Sequence, residues 1–333
     1  MRTEKLVRWI MAFAVPAATH AIAAQPRILE RVPVPANSAQ CVAVNPKLNK
    51  IYVSGGASAD QQVSEVSGAK YVVTVLGPGS CASVDPATNH VWAAGVYDGT
   101  VLVYDGVSRQ VIQTVRLAAC PVGTGYDSRN RRAWVGAQCG YNNDPTFAVN
   151  GLTYEKEAGP IGSGGVYWGN PIVNSATGKA YFGSTTTGPP ASLSIDPQND
   201  FAETVKSFGS VGTVDEVHNL LFAIPSAGSA QLQIVKGGPG PETILRSVVL
   251  RFTANAGALA VNPRSGRLYA ANGQGNSIEV LAEKTGAPLE SIALGAGNNA
   301  FRLAVDSSRK RLYALVQTPG GIQLFVIHDG PAK

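Results

Sequence analysis

Seven times along the chain an apolar run ends at an Asn or Asp, five mostly polar residues follow, and the chain resumes with an apolar-aromatic-apolar triplet. The copies are VNPKLNKIYV from Val44, VDPATNHVWA from Val84, YDSRNRRAWV from Tyr126, VNSATGKAYF from Val173, VDEVHNLLFA from Val214, VNPRSGRLYA from Val261 and VDSSRKRLYA from Val305. Their anchors, Asn45, Asp85, Asp127, Asn174, Asp215, Asn262 and Asp306, stand 40, 42, 47, 41, 47 and 44 residues apart. Seven residues past every anchor is an aromatic: Tyr52, Trp92, Trp134, Tyr181, Phe222, Tyr269 and Tyr313. With only 7% aromatic residues in the chain, seven in one phase is a repeat and not an accident.

Each copy predicts a β-hairpin. The Asx side chain can bond the backbone two residues on, and Pro often presets the turn that follows. Asn49, Asn89, Gly178, Asn219 and Gly266, four past the anchor, tolerate the positive φ a reversal needs. The strand after the turn alternates, which is a β and not a helical period. Two further strands follow, clearest at 100–104 with 111–115 and at 277–281 with 289–292. Four strands in 40–47 residues is the period of a propeller blade. The expected fold is therefore all-β, a seven-bladed β-propeller of four-stranded antiparallel blades. The seventh copy stops after its third strand at 322–327, and the stretch RILERVPV at 27–34 resembles the missing fourth. An N-terminal strand completing the last blade would close the ring and remove an exposed edge.

The IYVS of residues 51–54, the LYAANGQGNSIEVL of residues 268–281 and the repeated V-[ND]-P-x-x-x-[NG]-x-[IVL]-Y resemble the YVTN-repeat family of seven-bladed propellers, broadly related in shape to lactonase-type propellers. The likeness covers residues 25–330; blades three, four and five depart from the pattern, with larger loops at 120–140 and 159–169 and PSAGSAQ after the second strand of blade five. Family members are mostly exported and share no catalytic set, so the resemblance implies architecture and compartment more than chemistry.

Composition agrees. Gly 37 and Pro 21 in 333 residues leave no room for long helices, and 44% hydrophobic residues exclude disorder. Length alone would allow two domains, but removing an N-terminal leader leaves one ring. That leader is expected at residues 1–24: Arg2, Lys5 and Arg8 precede an apolar run at 9–18 and the small residues Ala21, Ala23 and Ala24. The remaining 25–333 would form a single propeller, exported to the periplasm or secreted. No later stretch approaches the apolar length of a membrane span.

Chemistry is sparse. The resemblance implies that a ligand site would use the loops opposite the Asx turns and the channel mouth. Catalysis and metal binding draw on His and carboxylates. Yet His20 lies in the leader, His90 and His218 in Asx turns, and His328 after the last strand, while Asp60, Asp98 and Asp144 stand on three separate loops. The expected ligand set at the mouth is Tyr97, Asp98, Tyr141, Tyr167, Trp168, Asn170, Asn298, Asn299 and Arg302, aromatic faces packing a ligand while amides and guanidinium fix its polar groups. If the protein were a lactonase-, lyase- or isomerase-type enzyme, Arg302 with Asp98 and Asp144 would carry the chemistry. No cofactor fingerprint and no dedicated metal set is found. A calcium ion held partly by loop carbonyls stays open.

Basic residues crowd the Asx turns: Lys47, Lys50, Arg129, Arg131, Arg132, Lys179, Arg264, Arg267, Arg309, Lys310 and Arg311. This one-sided field, with Arg129, Arg131, Arg132, Arg309, Lys310 and Arg311 at its centre, would suit an anionic envelope polymer or nucleic acid, although no nucleic-acid motif is present. Four cysteines in an exported chain imply disulfides. Cys120 and Cys139 flank one hairpin and are the favoured bridge. Cys41 and Cys81, in equivalent positions of adjacent blades, are the less favoured one. Overall the sequence reads as a monomeric, non-enzymatic binding protein for a protein or small-molecule partner, with the enzyme and the anionic-polymer binder as alternatives.

Overall fold

The structure is a computed structural model and describes residues 26–35, 40–55, 61–95, 98–117, 120–138, 145–162, 170–183, 192–226 and 228–330. Seven four-stranded antiparallel sheets follow one another in a ring. The first strands of blades one to seven are Cys41–Asn45, Ser80–Asp85, Pro121–Asp127, Ile172–Asn174, Ser210–Asp215, Leu259–Asn262 and Asn299–Asp306. The seventh sheet is completed by Arg27–Pro33, which pairs antiparallel with Gly321–His328 from Arg27 opposite His328 to Pro33 opposite Gln323. Val32 is buried on that closing strand, and Arg31 lies over the Phe325 ring at 5.0 Å.

The seven aromatics hold the ring together. All are at most 2% exposed, and each packs on the second strand of the next blade: Tyr52 on Val91 and Ala93, Trp92 on Ala133 and Val135, Trp134 on Ala180 and Phe182. Tyr181 packs on Leu221, Phe222 on Leu268 and Tyr269 on Leu312 in turn, and Tyr313 returns to Ile51 and Val53 of blade one. A side chain of this size contributes about 1.5–3 kcal/mol when fully buried. Every blade therefore leans on its successor, around to the first.

The anchors do what their chemistry allows. All seven are buried, and the Oδ1 of each accepts a backbone N–H two residues on, from Lys47 (3.0 Å), Ala87 (2.9 Å), Arg129 (3.2 Å), Ala176 (3.1 Å), Val217 (2.8 Å), Arg264 (3.1 Å) and Ser308 (2.9 Å). An Asn anchor has a donor left over and spends it across the blade boundary: Asn45 Nδ2 on Asn89 Oδ1 (3.3 Å), Asn174 Nδ2 on Asn219 Oδ1 (2.8 Å), and Asn262 Nδ2 on Asp329 Oδ2. An Asp anchor instead accepts locally, Asp85 from Thr88 (2.6 Å) and Asp127 from Asn130 (2.8 Å). Four past the anchor the backbone is left-handed in all seven turns, including Arg131 (φ 50°) and Lys310 (φ 54°), whose residue types do not announce it.

The disulfide present joins Cys41 to Cys81. First strands of neighbouring blades converge on the channel, so equivalent positions come within bonding reach, here 5.2 Å between Cα atoms. The less favoured of the two expected bridges is therefore formed, because equivalence around the ring does not keep such side chains apart. Closing this loop of 40 residues contributes about 4 kcal/mol in the chain-entropy treatment. Cys120 leads into the first strand of blade three, where its carbonyl accepts from Gln138 N at 2.8 Å, and Cys139 lies outside the described residues.

Candidate ligand site at the channel mouth

First strands line the channel, and near its mouth they enclose a cavity of about 220 Å3. Its wall runs from Cys41 and Val42 of blade one through Asn170 and Ile172 of blade four, Ser210 to Gly212 of blade five, and Ala256 and Gly257 ahead of blade six, to Arg302 and Leu303 of blade seven. Arg302 is the charged group in that wall. It follows a register shift between Ala300 and Arg302, the kind of bulge that re-aims a side chain out of a regular ladder. Its Nη1 donates to the Phe301 carbonyl at 2.9 Å, and no carboxylate pairs with it among the described residues. Burial alone pulls its pKa below the ordinary guanidinium value. Gly257 makes room for it, because a Cβ there would meet Nη1 at less than contact distance.

Asn170 faces the same cavity. Its Nδ2 crosses to the Ala82 carbonyl of blade two at 3.2 Å, while its Oδ1 is buried without a hydrogen-bond partner among the described residues. The two expected site residues that share a cavity are therefore Arg302 and Asn170. Asp98 is occupied in its own turn, its Oδ1 accepting from Thr100 N (2.9 Å) and Thr100 Oγ1 (2.6 Å). Asn298 likewise caps a turn by donating to the Leu294 carbonyl (2.7 Å), and Asn299 begins its strand opposite Gln317; neither lines the cavity. Tyr97, Tyr141, Asp144, Tyr167 and Trp168, with Asp60, lie outside the described residues. Sequence reasoning missed Ser210, Gly212 and Gly257. For Gly212 the signal was a glycine inside a strand, where the backbone at Ala256 ahead of the next blade closes on it.

The opposite face carries less free charge than its sequence count implies. Five of its eleven basic side chains are neutralised by ion pairs among the described residues: Lys50 with Glu65 (2.8 Å), Arg132 with Glu157 (2.5 Å), Lys179 with Glu242 (3.4 Å), Arg267 with Glu290 (3.0 Å) and Arg309 with Asp306 (3.1 Å). Arg132 is also stacked 5.2 Å from the Phe201 ring. Arg129, Arg131 and Lys310 are exposed, and Arg311 turns back onto the carbonyls of Arg309 and Lys310 (3.2 Å each).

No protein-family profile matches the chain, and no curated protein matches it. Solved structures match in shape. The β-propeller domain of Cps50 (Swd1) from Myceliophteria thermophila is similar with a TM-score of 0.69 at 11% identity, covering 91% of this chain and 99% of that one. A chain of a mitotic checkpoint complex is similar at 0.69 and 11%, covering 98% and 99%, and one of Kuenenia stuttgartiensis hydrazine synthase at 0.65 and 12%, covering 88% and 96%. At these identities the likeness carries the fold alone.

Proposed function

We propose that the protein is an exported, non-enzymatic binding propeller of the YVTN-repeat kind, and that its channel mouth takes a small anionic ligand. The observation that carries this reading is the Arg302 guanidinium in a cavity of about 220 Å3, without a carboxylate partner among the described residues. A guanidinium presents five donors in a planar fork suited to carboxylate or phosphate, and Arg302 gives one hydrogen bond to its own strand. Asn170 Oδ1, unpartnered on the facing wall, would take a hydroxyl or amine of the same ligand.

Binding is favoured over catalysis because the described lining offers a cation and an amide and no carboxylate or imidazole to move a proton. Similar structures are found in a checkpoint complex and in a synthase, so the fold serves both assembly and enzymes and does not decide between them. The Cys41–Cys81 bridge supports an oxidising compartment, and no helix of the described residues is long and apolar enough to cross a membrane.

The test is thermal unfolding of the wild type and of Arg302→Gln with millimolar succinate or inorganic phosphate, against chloride at equal ionic strength. A rise in Tm that is specific to one of these anions and lost in Arg302→Gln is expected. An equal rise in both proteins, or none in the wild type with either anion, would rule the reading out.

A further inference from the structure

One position, directly after the third strand of a blade, sits beneath the anchor of the preceding blade. It is Gly in four blades, Gly68, Gly106, Gly151 and Gly237, and each donates its N–H to the carbonyl of the left-handed turn residue. Blade six has Glu283 there, with the same backbone bond to the Gly266 carbonyl at 2.9 Å. Its side chain is therefore delivered to Asp215 and His218 of blade five.

We propose that Asp215, His218 and Glu283 bind one divalent transition-metal ion of the zinc type, between blades five and six at the end of the ring opposite the channel mouth. One ligand atom from each lies within 4.8 Å of the others. Asp215 Oδ1 is committed to Val217 N (2.8 Å) and His218 N (3.2 Å), which aims Oδ2 at the cluster. His218 Nδ1 stands 2.5 Å from that oxygen and 3.4 Å from Glu283 Oε1. Glu283 Oε1 supplies the second, independent observation: its side chain is 2% exposed, and this oxygen has no hydrogen-bond partner among the described residues. A buried carboxylate oxygen aimed at an imidazole and a second carboxylate is a donor lacking its acceptor.

One imidazole and two carboxylates match zinc, cobalt or manganese better than calcium, which takes six to eight oxygens, roughly twice what is offered here. Around a tetrahedral zinc at about 2.0–2.2 Å, ligand atoms stand about 3.3 Å apart. The His218 to Glu283 separation already has that value, and the His218 to Asp215 contact must open by under an ångström. His218 can make that move, because its side chain is 37% exposed and lies on the turn surface. The same exposure leaves a fourth position to water. Lys284 and Lys236, both at the solvent surface, are the cations beside the cluster that would oppose the ion.

The experiment uses the full, untagged chain after chelation and dialysis, titrated with Co2+ and then Zn2+, and followed by calorimetry and by the visible absorption of bound Co2+. One ion per chain is expected, with Zn2+ displacing the Co2+ spectrum. Glu283→Gln and His218→Ala should each weaken binding at least about tenfold, no less than loss of an outer-shell partner does, while circular dichroism stays unchanged. Asp329→Asn, in the adjoining cell, should bind as the wild type does. No uptake by the wild type, affinity unchanged in Glu283→Gln and His218→Ala, or a loss in Asp329→Asn as large as theirs would each overturn the site.

Discussion

Blades six and seven both carry an acid directly after the third strand, Glu283 and Asp329, and both acids reach back beneath the anchor of the blade before. Asp329 meets an Asn. It accepts from Asn262 Nδ2 and from Ser265 Oγ at 3.3 Å, and the Arg267 guanidinium lies 3.7 Å from its other oxygen. Glu283 meets an Asp, and the two buried carboxyls face each other beside His218. Burial raises the pKa of both acids. For Asp329, Asn262, Arg267 and Ser265 oppose the rise; for Glu283, Asp215 adds to it and the carboxyl is pushed up to about 8. Asp215 ends below its usual range: burial raises it, and the neighbouring Glu283 carboxyl with the hydrogen bonds from His218 and Val217 outweigh that. One atom at the anchor, amide nitrogen or carboxylate oxygen, decides whether the acid below is neutralised or left holding a proton or a cation.

The largest expected effect breaks the neutralised cell. Asp329→Ala strands Asn262 Nδ2 and removes a partner of buried Arg267, and should cost about 3 kcal/mol or more in denaturant unfolding. Glu283→Ala, which removes one of two repelling acids, should cost well under half as much with metal chelated. Equal losses would mean that the two cells do not differ energetically.

Asn262→Asp converts the second cell into a copy of the first. The turn survives, because Asp also accepts from Arg264 N, and the new carboxylate faces Asp329 without an imidazole beside it. A loss of about 2 kcal/mol at pH 8 is expected, shrinking in acid as the pair takes up a proton. A substitution neutral at both pH values would break the comparison at its root.

The pH dependence of the wild type has a sign of its own. Glu283 is raised from 4.5 to about 8, so the folded chain binds the proton more tightly than the unfolded one. Its contribution is fully present below about pH 4.5 and is lost as pH rises through about 8. With metal chelated, the wild type should lose stability steadily between pH 5 and 9 relative to Glu283→Gln, whose side chain does not titrate. Parallel profiles for the two proteins would remove Glu283 from the account.

The ring was legible in the sequence because each blade repeats one turn and one aromatic, and seven copies outvote the irregular loops. Arg302 and Asn170 were legible as polar residues ahead of or within a first strand, where a side chain must face the channel. How much of the basic face is ion-paired was not legible, since the partners, such as Glu65, Glu157 and Glu290, sit on other strands of the sheet and share no spacing with the turns. The acid cell was missed altogether. Its signal is a departure from a pattern, an acid where four blades have Gly, and it acquires meaning only when the preceding anchor is known to lie above it.

The smallest effect concerns the turn at the edge of each cell. Gly266 in blade six and Lys310 in blade seven hold the same left-handed backbone, at φ 65° and 54°. The Lys310 carbonyl accepts from Asp329 N (3.0 Å) and Arg311, bonds that any residue could make, and its side chain is exposed. A Cβ in this conformation costs roughly 1–2 kcal/mol, and the extra unfolded-state freedom of Gly returns about 0.5–1 kcal/mol of that. Lys310→Gly should therefore stabilise the fold by about 0.5–1 kcal/mol, and Gly266→Lys should destabilise it by a similar amount. Arg131→Gly offers a control in blade three, at φ 50° and with its carbonyl bonded to Gly151 N at 2.7 Å. It shares no cell with either acid. If Arg131→Gly stabilises and Lys310→Gly does not, the Lys310 ammonium contributes to the cell of Asp329, and the contrast between the two cells belongs partly to the turn instead of the anchor.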